Sequence, residues 1–292
     1  MDIGVVTVRG DDYYPNLRLL EAAGEKGLSL GLVNPYRVAP WVMEAGAGMA
    51  GMEDSGPPRV ILPRQGAQIG DSSMSILRHF AAMGIPLVNS VSAIAAARNK
   101  FLSMQVLLQQ GIRVPDGVFV NSARMLYRGI ELLGGFPVVA KKPSGRQGDG
   151  VVLLSKARDA ERTLSMNLPE PGLGLLLQRF IAPEGRRDLR VLVMGGNVFA
   201  AMELEPPPGD FRSNFHVSGQ SRAVVLSAGL EKIAVDSARA VGLDIAGVDV
   251  IVDAAGAPWV IEVNYSPGFR GLEAATGKDV AAAIVDFAFS YI

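Results

Sequence analysis

Of the 292 residues, 49% are apolar and 20% charged, the balance of a globular chain with a substantial core, and at this length two or three domains are expected. A net charge of −1 and a pI near 6.2 give no sign of a basic nucleic-acid face. Cysteine is absent, which excludes thiol catalysis, disulfides and thiolate metal sites and fits a reducing compartment.

Ile3 to Val8 reads as a buried first strand rather than a signal sequence. With no long apolar run, the expectation is a cytoplasmic protein that engages neither membrane nor nucleic acid. A helix is expected over 16–26, strands over 27–33, 60–63 and 86–88, and a helix over 73–83. Strand–helix alternation of this kind predicts a small parallel sheet covered by helices. The Gly-, Ala-, Met- and Pro-rich stretch 45–58 reads as a loose loop. One helix is expected over 91–110, ended by Gly111. Then come strand 118–120, helix 123–133 and strands 137–142 and 151–154. Strands follow at 191–194, 198–203 and 223–225, with a strand-forming stretch opening at 175. Helix 230–241, a hairpin of 248–253 with 258–264, and a last helix over 279–291 complete the chain.

Two nucleotide-like signatures lack their context. Gly46-Ala47-Gly48-Met49-Ala50-Gly51 has the letters of a dinucleotide fingerprint but no strand before and helix after. Thr276-Gly277-Lys278-Asp279 lacks the spacing of a phosphate loop and reads as a helix start. A better candidate is Lys141 at the end of a strand, followed by a loop with Gly145, Gly148 and Gly150. Glycines let backbone N–H groups approach phosphate oxygens while the lysine supplies charge, although a plain hairpin with a solvated lysine uses the same residues. Near the C-terminus, pairing Asp253 with Pro258 sets Asp249 opposite Glu262, with Asn264 on the same face. Opposed carboxylates repel. Two of them with an amide oxygen form a site for Mg²⁺. Arg212 and Asn214 offer a guanidinium and an amide on a loop between strands. His79 reads as structural or exposed, and His216 as a substrate neighbour rather than a base.

The lysine strand and its glycine loop, Gln178-Arg179-Phe180-Ile181, Asp188-Leu189-Arg190, Arg212-Ser213-Asn214 and Asp249…Glu262-Val263-Asn264 occur in one order. Together they resemble the ATP-grasp superfamily, and within it the RimK-type glutamate ligases and their LysX-like relatives. Arg98-Asn99-Lys100, Ser103-Met104-Gln105 and Pro63-Arg64-Gln65-Gly66 extend the resemblance over essentially the whole chain. It implies an α/β (α+β) ATP-grasp fold in three domains. These are an N-terminal parallel-sheet domain (1–92), a small central α/β subdomain (93–174) and a mainly antiparallel C-terminal subdomain (175–292). ATP is expected between the last two. Lys100 and Lys141 would meet its phosphates, the loop with Ser144, Gly145 and Gly148 would close over them, and Gln178, Arg179 and Phe180 would line the adenine. Asp188 would hold the ribose, with Arg190 beside it, and Arg212, Ser213 and Asn214 would reach the phosphates. Asp249, Glu262 and Asn264 would bind two Mg²⁺ or Mn²⁺ ions, and Ser266, Pro267 and Gly268 would shape the acceptor site.

The implied chemistry joins a carboxylate to an amine through an acyl phosphate, with Arg212, Lys141 and Asn214 as the catalytic set. The partners implied are an amino-acid donor, a carboxylate acceptor (protein, peptide or small molecule) and further copies of the chain. A small-molecule dipeptide or cofactor ligase and a non-catalytic ATP-binding scaffold are the alternatives. Several positions depart from the resemblance. Arg179 replaces a usual glutamate, and Leu204-Glu205 a usual arginine pair that suits an acidic substrate. Val217 replaces a basic residue and Arg270 an acidic one. The expectation is therefore a donor not recognised as those enzymes recognise glutamate.

Overall fold

The computed structural model describes residues 1–52, 56–65, 70–143, 150–166, 174–206, 211 and 221–292. The expected loop residues Ser144, Gly145, Gly148, Arg212, Ser213, Asn214, His216 and Val217 lie outside them. No helix of the described residues is long and apolar enough to cross a membrane.

The N-terminal part holds β1 (Ile3–Val6), α1 (Tyr14–Glu25), β2 (Leu30–Val33), β3 (Ala39–Met43), β4 (Gly46–Ala50), β5 (Val60–Pro63), α2 (Asp71–Ala82) and α3 (Val91–Ala97). The parallel sheet runs β2-β1-β5. Every residue of β1 and β5 is buried, as expected of continuous apolar strands covered on both faces. The stretch expected as a loose loop instead supplies β4, which pairs antiparallel with β3. Trp41 decides this locally: a Cβ on Gly48 would sit 2.3 Å from its ring, so the small residue is a packing requirement. Residues 86–88 contribute only the bridge Ile61–Leu87.

The helix expected over 91–110 is broken at Arg98. Asn99 leaves helical geometry and its side chain accepts from the N–H groups of Phe101 and Leu102, both at 3.1 Å. An asparagine that satisfies orphan donors in this way starts a new helix, and α4 (Lys100–Gln109) begins with Lys100. Next come β6 (Gly117–Val120), α5 (Ala123–Leu132), β7 (Val138–Lys141), β8 (Val151–Leu154), α6 (Ala157–Ser165) and β9 (Leu175–Arg179). They form an antiparallel sheet in the order β6-β9-β7-β8.

The last part holds β10 (Arg187–Met194), β11 (Asn197–Leu204), β12 (Ser221–Ala223), α7 (Ala228–Val241), β13 (Ile245–Val252), β14 (Pro258–Asn264), α8 (Arg270–Thr276) and α9 (Val280–Phe289). Its antiparallel sheet runs β12-β11-β10-β13-β14. One face, with Leu189, Val191, Val248, Val250, Val260 and Val263, packs with Ala234 and Ala238 of α7 and with Ile94 and Leu107. The opposite face is apolar at Leu192, Ala200, Met202 and Ile245, which pack with α8, α9 and the N-terminal sheet. Further along the same face, on β10, β13 and β14, stand Arg190, Asp249, Glu262 and Asn264.

Candidate active site

Asp249 and Glu262 are register partners across β13 and β14, and Gly247 pairs with Asn264. Asp249, Glu262 and Asn264 therefore share one face. The route to this register differs from the sequence reading. At the turn Val252 pairs with Pro258, one residue from the expected register, and an irregularity between Asp249 and Val250 restores the opposition. The extra residue, Ile261, lets Val260 and Val263 remain in the core while Glu262 faces the other way.

Opposed carboxylates need counter-charge, and it arrives from separate elements. Arg190 lies beside Asp249 on β10 and binds it through two hydrogen bonds, Nε–Oδ1 at 2.7 Å and Nη2–Oδ2 at 2.8 Å. Lys100, the first residue of α4, places Nζ 2.5 Å from Glu262 Oε1. The Lys100 N–H donates to Pro143 O at 3.2 Å, tying α4 to the chain just after β7. Lys141 ends β7 and is felt electrostatically by both carboxylates. Burial pushes its ammonium down to about 8, Lys100 adds to the fall, and Glu262 and Asp249 oppose it. Burial pushes the Glu262 carboxyl up, but Lys100, Lys141 and Arg190 outweigh it and hold it below its ordinary range. Burial works against the Arg190 cation, and Asp249 and Glu262 outweigh it in turn.

This donor set fits a hard divalent cation: two carboxylates and an amide oxygen on one face, with Glu262 held in its charged form by the cations around it. No three His, Cys, Asp or Glu side chains gather at one point among the described residues, and the register sets the Asn264 amide on the same face as the carboxylate pair.

The chain, site included, matches known proteins over essentially its full length. The family model of the RimK-like ATP-grasp domain covers residues 97–288, and that of the RimK PreATP-grasp domain residues 1–94. The chain belongs to the RimK-like ATP-grasp family. This is a family of ligases, and its relative from Shewanella frigidimarina named "Probable alpha-L-glutamate ligase 2" is 38% identical over 96% of this chain and 93% of its own. A RimK domain ATP-grasp protein from Sphaerobacter thermophilus matches in fold with a TM-score of 0.77 at 21% identity, covering 99% of each chain. The ATP-grasp ligase PsnB, solved with a minimal precursor, gives 0.74 at 21% identity over 100% of both chains.

In this RimK-like ligase the structure brings Lys100, Lys141, Arg190, Asp249, Glu262 and Asn264 together. The other described expectations have contacts of their own, with Asp188 two residues along β10 from Arg190 on the same face. Gln178 is buried and donates to Met104 Sδ at 3.0 Å. Asp188 is buried and paired with Arg186 at 3.1 Å, and Arg186 also donates to the carbonyls of Ile181 and Phe211. Phe180 meets Phe211 edge to face with ring centroids 5.8 Å apart. Arg179 lies over the Trp259 ring at 4.5 Å, with Arg113 over the same ring at 5.0 Å. A guanidinium on an indole gains from the ring's negative face, so Arg179, unusual by its resemblance, has a local reason to be there. Pro267 is buried and its carbonyl accepts from Arg64 at 2.7 Å. Sequence reasoning missed the Arg190–Asp249 and Lys100–Glu262 pairs, for which only the repulsion between the carboxylates was a signal. It also missed buried Asn89, which joins the end of the N-terminal part to Asp244, Ile245 and Tyr265 through backbone hydrogen bonds of 2.6–3.0 Å.

Proposed function

We propose that this ligase activates a carboxylate with ATP and Mg²⁺ and joins it to the amine of an amino acid, releasing ADP and phosphate. The observation that carries this reading is the pair Asp249–Glu262 with Lys100, Lys141 and Arg190 converging on it from three elements. Transfer of a phosphoryl group to a carboxylate drives one anion against another, so the site must hold concentrated positive charge. Lys141 and Lys100 supply that charge beside the phosphates. Arg190 orients Asp249 through its two-point contact. Asp249, Glu262 and Asn264 would hold Mg²⁺, which neutralises phosphate charge when bound. The acyl phosphate formed on the substrate gives the amine a leaving group, and no nucleophilic side chain is required.

Arg212, Asn214, the 144–150 loop and the adenine and ribose contacts at 178–180 and 188 complete this proposal from the resemblance. For the substrates, the relatives' glutamate ligase names favour an amino-acid donor, and PsnB's bound precursor favours a peptide-like acceptor. The usual arginine pair after Glu203 is missing. In its place Arg187 and Arg222 flank Glu203, at 2.8 and 3.2 Å, and are engaged by it. Their engagement supports a donor recognised differently from glutamate in RimK-type enzymes.

The test is ADP and phosphate release with Mg-ATP across pairs of amino acids and glutamate-ended peptides. Release that requires both an acid and an amine, and vanishes in Glu262→Ala, is the expected result. Tight Mg-ATP binding without release for any pair would move the reading to a scaffold.

A further inference from the structure

The carboxyl end of the N-terminal sheet carries a group of buried polar side chains that the proposed ATP chemistry does not use. With β2 on one side of β1 and β5 on the other, the carboxyl ends of β1 and β5 form a switch point, where open parallel sheets bind ligands. Three buried side-chain atoms among the described residues have no hydrogen-bond partner: Asn16 Oδ1, Arg64 Nε and Gln65 Oε1. All three lie beside this switch point. Arg64 and Gln65 directly follow β5, and the Asn16 amide holds the carbonyls of Arg9 and Gly10, at 3.1 and 2.8 Å, just past β1. Orphaned buried polar atoms are rare, and several at one place ask for a functional reason.

Arg64 is the centre of the group. Its guanidinium lies 5.4 Å above the Phe269 ring and donates to Pro267 O at 2.7 Å. The residue keeps some exposure although Nε is shut off from solvent. No carboxylate compensates it among the described residues, and the groups acting on its charge are the hydroxyls of Tyr13 and Tyr265. Burial draws its acidity to about 10. Arg9 lies over Tyr13 at 5.7 Å, while Arg270 lies over Tyr14 at 5.3 Å, whose hydroxyl donates to Glu273 at 2.6 Å. Through Pro267 this group adjoins the carboxylate face. A Cβ on Gly247 would lie 2.7 Å from Pro267 Cβ, and Gly247 is the register partner of Asn264.

We infer that Arg64 receives a substrate carboxylate that does not react, holding it at the end of β5 while another group of the same molecule reaches the Asp249–Glu262 face. A buried guanidinium that has a carbonyl and a ring as partners but no counter-ion is complemented by an arriving carboxylate. The ligand class is an amino acid, or a peptide that keeps a spare carboxylate. Phosphate is the other anion the same chemistry could hold. The inference rests on the ligase reading for the word substrate, but its test does not depend on turnover.

The test is calorimetric titration of the full chain, with Mg-ADP present, using L-glutamate and then the other common amino acids. The tightest binder is compared with its carboxamides (for L-glutamate, glutamine and isoglutamine) and with inorganic phosphate. In Arg64→Met the amino-acid Kd should weaken about 10- to 100-fold, the loss of one charged hydrogen-bonding partner. Arg64→Lys should recover part of that loss, and the Mg-ADP Kd should not move. Wild type should favour the acid over one carboxamide by a similar factor, and Arg64→Met should not. Equal amino-acid binding by wild type and Arg64→Met, no amino-acid binding by wild type, parallel loss of Mg-ADP binding, or a site that prefers phosphate would each overturn the inference. If Arg64→Met loses amino-acid binding but no pair supports turnover, the ligase reading fails and the receptor stands.

Discussion

Replacing Arg190 with methionine removes the positive partner of Asp249 while keeping most of the buried chain length. Both side chains of this pair are 20% exposed, and they meet through two contacts at 2.7 and 2.8 Å. Unit charges about 4 Å apart at an effective dielectric of about 20 attract by about 4 kcal/mol. Relief of guanidinium desolvation offsets part of that loss, so a destabilisation of about 3 kcal/mol is expected for an uncompensated, half-buried carboxylate. Thermal unfolding in EDTA should then fall by about 6–12 °C, at about 2–4 °C per kcal/mol. Adding Asp249→Asn should recover part of the loss, because the orphaned charge goes with it. Magnesium supplies the second arm. At about 100 times its Kd it should return about 2.7 kcal/mol to Arg190→Met, a larger upward shift than in wild type, where Arg190 already occupies Asp249. Equal melting of Arg190→Met and wild type in EDTA would refute the charge argument. A magnesium shift that persists in Asp249→Asn/Glu262→Gln would refute the metal assignment.

The Lys141 ammonium lies below its ordinary value, at about 8, so its positive charge is present below pH 8 and lost above it. Mg-ATP affinity should therefore decline as pH rises through about 8, and Lys141→Arg, which stays charged, should flatten that profile in a titration series. The same depression means that raising the pH from about 8 towards the unfolded value near 10.4 should stabilise the fold through this residue, because the unfolded chain then holds the proton that the folded one has released. Asp253 caps the β13–β14 turn by accepting from Ala255 N, Ala257 N and Trp259 Nε1 at 3.0, 2.8 and 2.8 Å, and these donors hold its carboxyl below its ordinary range. Asp253→Ala should melt earlier at neutral pH, and the gap to wild type should close in acid as the native carboxyl takes up its proton. Gly247→Ala forces a Cβ to within 2.7 Å of Pro267; a cost of about 1–3 kcal/mol by denaturant unfolding is expected, with turnover reduced more than Mg-ADP binding. Asn89→Ala removes the Oδ1 that accepts from the Asp244 and Ile245 N–H groups, and should cost about 3 kcal/mol in the same assay.

The site was legible wherever its chemistry lies within one short segment. Alternation along β13 and β14 placed Asp249, Glu262 and Asn264 on one face, although the expected register was wrong at the turn and a bulge at Ile261 restored it. Glycine frequency misled at 45–58, since composition does not show that Trp41 needs a bare Gly48 beneath it. Periodicity also ran through Arg98 and Asn99, because an apolar stripe continues across a helix break that side-chain capping creates.

The sequence by itself determined most of the order of elements, which residues share the carboxylate face and the lysine that ends β7, because strand alternation and residue type act over a few positions. Only the tertiary structure decided which cations meet which carboxylates. Arg190 is 59 residues from Asp249 and Lys100 is 162 from Glu262, so their pairing depends on sheet order and helix docking. The uncompensated Arg64 likewise became visible only in three dimensions, since a missing partner can be recognised only once the neighbours are in place.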